Sequence, residues 1–151
     1  MKTNSPRSIA IETLHTVLQE GAYSNIALNR ALEKYSPDKL DRAFITELVY
    51  GTLRNLGTID WVLGRFLKKP VNDLPPKISA VLRMGAHQIF FMDKVPDSAA
   101  CNESVNLARK YGHAGTVKLV NGVLRNVARQ REELEFPDIA QDPVRGIAVR
   151  Y

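Results

Sequence analysis

The stretch ISAVLRMGAHQIF, residues 78–90, decides the fold class. Its apolar and small residues Ile78, Val81, Leu82, Gly85, Ala86, Ile89 and Phe90 fall at i, i+3, i+4, i+7, i+8, i+11 and i+12. That is the period of a helix buried along a wide face, not the alternation of a strand. Just before it, PVNDLPP (residues 70–76) stops any preceding helix, because proline lacks an amide donor and clashes in a helix interior. The same punctuation recurs on both sides. Ser5-Pro6 opens a first helix that Gly21 closes, with Ala10, Leu14, Val17 and Leu18 at helical spacing. Ser24 is expected to cap a short second helix carrying Ile26, Leu28 and Leu32. Ser36-Pro37 is expected to open a third, which runs to Leu56 and stops at Gly57. Thr58 then caps a fourth with Ile59, Val62, Leu63, Phe66 and Leu67. Downstream, Pro96-Asp97-Ser98 opens a sixth helix that Gly112 closes, and Thr116 opens a seventh with Val120, Leu124 and Val127 inside. No alternating β-branched run bounded by turns competes with this pattern. The expected fold is an all-α bundle of about seven helices.

The chain's 151 residues are enough for one domain with a real core. Its 44% hydrophobic and 25% charged content is ordinary for a soluble protein. No apolar run approaches the roughly 18 residues that span a bilayer, and the opening MKTNSPRSIAIETL does not read as a signal peptide. With a single cysteine, Cys101, no internal disulfide can form, which suits the cytoplasm. Residues 135–151, EFPDIAQDPVRGIAVRY, carry two prolines and a glycine and no helical stripe. The division expected is a helical domain over 1–134 and an extended tail over 135–151, either an arm folded back on the bundle or a linker to a further domain.

Catalytic candidates are few. His15, His87 and His113 lack second ligands at metal spacing. His15 with Glu12 reads as a structural i, i+3 pair, and His87 as a packed or surface residue. Cys101 falls near the first turn of the sixth helix, where the dipole would lower a thiol pKa, but with no histidine nearby it reads as a small core residue. Gly112, Gly115 and Gly122 form no phosphate loop. No catalytic site and no metal site is expected, and no cofactor within this chain.

Charge is the distinctive feature. The net charge is +5, and between residues 109 and 131 lie Arg109, Lys110, Lys118, Arg125, Arg129 and Arg131 with no acid among them. On the seventh helix Lys118, Asn121, Gly122, Arg125 and Arg129 fall at i, i+3, i+4, i+7 and i+11, beside the apolar stripe. A helix whose outer side is cationic is a footprint for phosphate. The competing reading is a solvated face whose acidic partners come from other helices.

Four stretches in order add a resemblance: DRAFITELVYGTLRN (41–55) with IDW (59–61), LRMGAHQIFF (82–91), VPDSAACNESVNLARKYG (95–112) and VNGVLRN (120–126). Over roughly residues 5–130 they resemble the NusB-like family, shared by bacterial transcription antitermination factors and by the N-terminal domain of ribosomal RNA cytosine methyltransferases of the RsmB (Sun/Fmu) type. The Tyr50-Gly51 and Leu53-Arg54 form of the third helix and the Ala99-Ala100 pair are more similar to the methyltransferase. This resemblance implies an RNA-binding front domain of an enzyme that methylates C5 of a cytosine in small-subunit ribosomal RNA. The parent would use S-adenosylmethionine held in a catalytic domain outside this chain. Partners implied are ribosomal RNA, the enzyme's own catalytic domain and, under the antitermination alternative, a ribosomal protein; no membrane is involved. A helical protein-docking domain without RNA contact is the third reading. The residues expected at RNA are Lys2, Arg7, Lys118, Asn121, Arg125 and Arg129. Arg54 and Arg83 are expected instead to anchor carboxylates such as Asp41 or Glu103, and Asn102 and Glu103 to serve the start of the sixth helix.

Overall fold

The computed structural model describes residues 5–131, all helical apart from short connections. Its helices are α1 (Pro6–Glu20), α2 (Ser24–Tyr35), α3 (Lys39–Arg54), α4 (Leu56–Gly64), α5 (Pro76–Phe91), α6 (Asp97–Tyr111) and α7 (Ala114–Gln130), with a 3-10 turn at Val71–Asp73 before α5. Seven helices and no strand among the described residues agree with the all-α expectation.

Several helix starts differ from their expected positions, for local reasons. α3 begins at Lys39 because the Asp38 side chain caps the Asp41 amide at 2.9 Å, while Ser36 takes up a left-handed conformation at the end of α2. α3 and α4 are separated at Asn55 alone, so Gly57 and Thr58 lie inside α4 rather than before it. α7 begins ahead of Thr116: His113 Nδ1 accepts from the Gly115 amide at 3.1 Å, and Thr116 Oγ1 accepts from the His113 amide at 2.8 Å. That reciprocal pair is a capping box, and it gives His113 a structural duty.

α5 packs against α1, α3, α4, α6 and α7. Every residue from Ile78 to Ile89 is buried. An apolar stripe alone would bury one face. Full enclosure also takes Ser79, Arg83, His87 and Gln88 out of water, and a buried polar group without a partner costs on the order of 1–3 kcal/mol. Three of the four are hydrogen-bonded by different parts of the chain, and His87, whose ring nitrogens make no hydrogen bond, is set against a fourth. Ser79 donates to the Val71 carbonyl at 2.6 Å. Arg83 forks onto Asp60 of α4 at 2.8 and 3.0 Å and reaches Asn72 at 2.9 Å. Gln88 accepts from Arg7 of α1 at 2.8 Å and donates to the Met84 carbonyl. His87 Nε2 lies 3.3 Å from Glu47 Oε2 of α3. The carboxylates that hold Arg83 and Arg54 are thus Asp60 and Glu47, not Asp41 or Glu103: the crossing of α4 and α5 brings Asp60 to Arg83, and Glu47 lies two turns before Arg54 on α3 itself.

Two glycines permit these close approaches. A Cβ on Gly51 would fall 2.3 Å from the His87 ring and 2.7 Å from Glu47. On Gly85 it would fall 2.6 Å from Leu124 and 2.9 Å from Ser104, where α6 and α7 seat against α5. Alanine at position 51 would gain roughly 1 kcal/mol of helix propensity, but the buried imidazole cannot move away, and overpacking costs about 1–3 kcal/mol. Gly51→Ala should therefore lower the urea midpoint at an unchanged m-value; an equal or higher midpoint would contradict the close approach.

Burial pushes the His87 pKa below its ordinary 6.5, with Glu47 opposing the shift and Arg54 adding to it. A depressed folded-state pKa means that below pH 6.5 the unfolded chain takes up a proton that the native ring resists. Stability is complete above that pH and declines beneath it, by up to about 1.4 kcal/mol per pH unit. Urea midpoints at pH 7.5 and 5.5 should show a decline for the natural chain and a shallower one for His87→Met. Equal slopes would remove His87 from the account.

Candidate nucleic-acid interface

α7 lays Val120, Val123, Leu124 and Val127 into the core, and this seating decides what its other side presents. Lys118, Asn121, Gly122, Arg125 and Arg129 are all exposed, as their spacing predicts. A Cβ on Gly122 would meet nothing within 4 Å, so the middle of this face is open to an incoming surface.

The partners of these cations matter more than their number. Arg125 donates to Asn121 at 3.0 Å and, across to α6, to Asn102 at 2.8 Å. Arg129 donates to Asn126, and Arg109 donates to Asn106 at 2.8 Å. Each guanidinium is aimed by a neutral carboxamide, which restricts its rotamers and leaves its charge uncompensated. The arginines nearer the core behave oppositely: Arg83 pairs with Asp60 at 2.8 Å and Arg131 with Asp97 at 3.3 Å. Among the described residues no carboxylate forms an ion pair with Lys118, Arg125 or Arg129. Among the described residues the acidic partners required by the solvated-face reading do not meet these three side chains. A planar donor fork held in place and still positive suits a phosphate oxygen pair.

Arg7 sits apart from this face. It is half-buried, its Nε is committed to Gln88 and its guanidinium lies 5.0 Å over the Phe44 ring. Burial lowers its pKa, with Glu103 opposing, but the group stays charged. Its clearest duty is to tie α1 to α5, which sequence reasoning missed because Gln88 gave no sign of being buried. Lys2 lies outside the described residues. Asn102 was expected at the helix start; its side chain instead orients Arg125.

The catalytic candidates resolve structurally. Cys101 is buried, and burial pushes its thiol pKa up against the pull of Arg125, the reverse of the helix-dipole expectation. His87 is enclosed and His113 caps α7. No group of three or more metal-ligating side chains comes together among the described residues. No described helix is long and apolar enough to cross a membrane.

Residues 4–129 match the model of the NusB family. The "Probable ribosomal RNA small subunit methyltransferase B" of Bacillus subtilis (strain 168) is 40% identical over 98% of this chain, which spans 32% of that relative. The "Transcription antitermination protein NusB" of Bacillus licheniformis is 32% identical over 87% of this chain and 100% of its own length. Among solved structures, T. maritima NusB superposes with a TM-score of 0.75 at 25% identity, covering 89% of this chain and all of that one.

Proposed function

This chain belongs to the NusB family, and from that premise we propose that it is the RNA-binding front module of a ribosomal RNA cytosine-5 methyltransferase. One observation carries the reading. The chain aligns almost end to end with a small-subunit rRNA methyltransferase and at higher identity than with the antitermination protein, yet it spans only about a third of the enzyme. In this reading the parent works in the cytoplasm, uses S-adenosylmethionine and contributes to rRNA processing. The described helices contain no glycine-rich turn after a strand to cradle that cofactor, so its site would be held by other parts of the parent. Residues 135–151 would lead toward that catalytic part.

The module's share of the work is to hold ribosomal RNA. Lys118, Arg125 and Arg129 contact backbone phosphates, Asn121 and Asn102 keep Arg125 aimed, and recognition of bases falls to other surfaces. A stand-alone antitermination role, with a ribosomal protein as second partner, is favoured by the full-length match to the Bacillus licheniformis protein. Continuation of the source gene beyond Tyr151 into a methyltransferase domain separates the two. A helical module that docks only protein is the alternative the RNA measurements below exclude or restore.

Affinity for a small-subunit rRNA fragment should fall steeply with salt, since each neutralised phosphate releases counterions. Converting Lys118, Arg125 and Arg129 together to alanine should weaken binding at least tenfold and flatten the log–log salt slope by roughly 2–3. Wild-type affinity in the triple variant would refute this face.

Asn102→Asp tests the role of the neutral carboxamides more finely. It would keep Arg125 oriented but neutralise it, so binding should weaken while the thermal midpoint holds or rises slightly. Unchanged RNA affinity would show that Arg125 does not meet phosphate.

A further inference from the structure

The end of α4 and the connection after it read WVLGRFLKKP, residues 61–70, and bring an indole and three cations close together. Trp61 and Arg65 stand four positions apart, so one turn of helix sets them on the same side. The Arg65 guanidinium lies over the Trp61 ring, 5.5 Å from its centroid. Trp61 is part-buried and packs against the core, which holds the ring in place, whereas Arg65 is exposed. Next to Arg65, a Cβ on Gly64 would meet nothing within 4 Å, so the space there is open. Lys68 and Lys69 are exposed just beyond.

These charges are not balanced locally. Among the described residues no carboxylate forms an ion pair with Arg65, Lys68 or Lys69. The nearest acids along the chain are Asp60 and Asp73. Asp60 is held by both arms of Arg83, at 2.8 and 3.0 Å, and Asp73 makes no ion pair among the described residues. A cation at the end of a helix also meets the negative pole of its dipole, and Arg65 at the C-cap of α4 fits that rule. The dipole asks for charge alone. It requires neither a planar group seated on an indole nor two further lysines past the last turn.

A guanidinium seated on an aromatic ring has one face covered and its rotamers restricted, while its opposite face stays flat, weakly hydrated and positive. Unpaired nucleobases stack on such planes, on aromatic rings and on arginine alike, and cations alongside meet the phosphates that join the bases. Nucleic acid presents flat rings and anions in alternation. An acidic peptide presents the charge without the rings.

We infer that the Trp61–Arg65 pair is a stacking platform for an unpaired base of single-stranded RNA, with Lys68 and Lys69 on the phosphates that flank that base. The inference rests on the reading of this chain as an RNA-binding module. It supplies a base contact, where Lys118, Arg125 and Arg129 are assigned to phosphate alone. Because α4 packs against α7, the two surfaces belong to adjoining helices.

Trp61 is the only tryptophan of the chain, so its fluorescence reports on this platform directly. With the full chain, binding is read from the anisotropy of a labelled single-stranded oligouridylate, and stacking from Trp61 emission with the unlabelled oligomer. Binding should quench Trp61, and the quench at saturation should persist when Lys118, Arg125 and Arg129 are all replaced by alanine. Arg65→Lys keeps the charge and removes the plane. It should weaken oligouridylate binding about fivefold or more, with the helical circular dichroism unchanged. Lys68→Gln/Lys69→Gln should lower the affinity and flatten its salt dependence while the quench at saturation remains. Binding without a quench would overturn the inference and leave the α7 face standing, as would wild-type affinity in Arg65→Lys. An equal quench by polyglutamate, which has charge but no bases, would overturn it too and make an acidic protein segment the occupant. The α7 face is judged separately, by the affinity of its triple variant for the ribosomal RNA fragment.

Discussion

A helix enclosed on every side has to bring a partner to each polar group it carries, and α5 carries four. Ser79, Arg83 and His87 recur at intervals of four and so form a polar line down one side, with Gln88 beside its end. The 3-10 turn, α4 and α1 supply the carbonyl, carboxylate and guanidinium that hydrogen-bond to it, and α3 sets Glu47 3.3 Å from His87. Apolar contacts hold these elements together but are tolerant of sliding. The polar line is not, since a shift of one residue would leave a buried guanidinium or carboxamide unpaired. The bundle's register follows from this constraint.

The same logic sorts the arginines by function. Where a guanidinium enters the core it is matched by a carboxylate or carboxamide that cancels or absorbs its demand, as with Arg83 and Arg7. On the outer side of α7 the arginines are aimed by asparagines, which accept a hydrogen bond without supplying negative charge. Orientation without neutralisation leaves donors that an anion could meet, a property that solubility alone does not require. The distinction rests on a single atom in each side chain: aspartate at position 102 would make the same hydrogen bond and abolish the charge.

Two sides of α5 divide the molecule's tasks. Close approach at Gly85 seats α6 and α7, and thereby sets which side of α7 faces water. Close approach at Gly51 lets His87 lie under Glu47, with Phe91 stacked on the same imidazole at 5.6 Å. Phe91 thus leaves the core only part-covered.

Helical class, the number of helices and the cationic side of α7 were legible in the sequence, because spacing at 3.6 residues and proline–glycine punctuation are local properties. The exposure of Lys118, Asn121, Arg125 and Arg129 followed from the apolar stripe beside them. Helix starts at Lys39, Leu56 and Ala114 were misjudged where Asp38, Asn55 and His113 overrode the more familiar serine and threonine signals. The partners of Arg83, the inward turn of Arg7, the enclosure of His87 and the carboxamide that aims Arg125 could not be read in advance. Apart from Asn72, eleven positions before Arg83, each partner lies more than twenty positions away, and only the packing of helices decides which polar groups meet. Periodicity along the chain determined which side of each helix is wet; the tertiary structure decided which charges on the wet sides of the described helices meet a carboxylate and which meet a carboxamide.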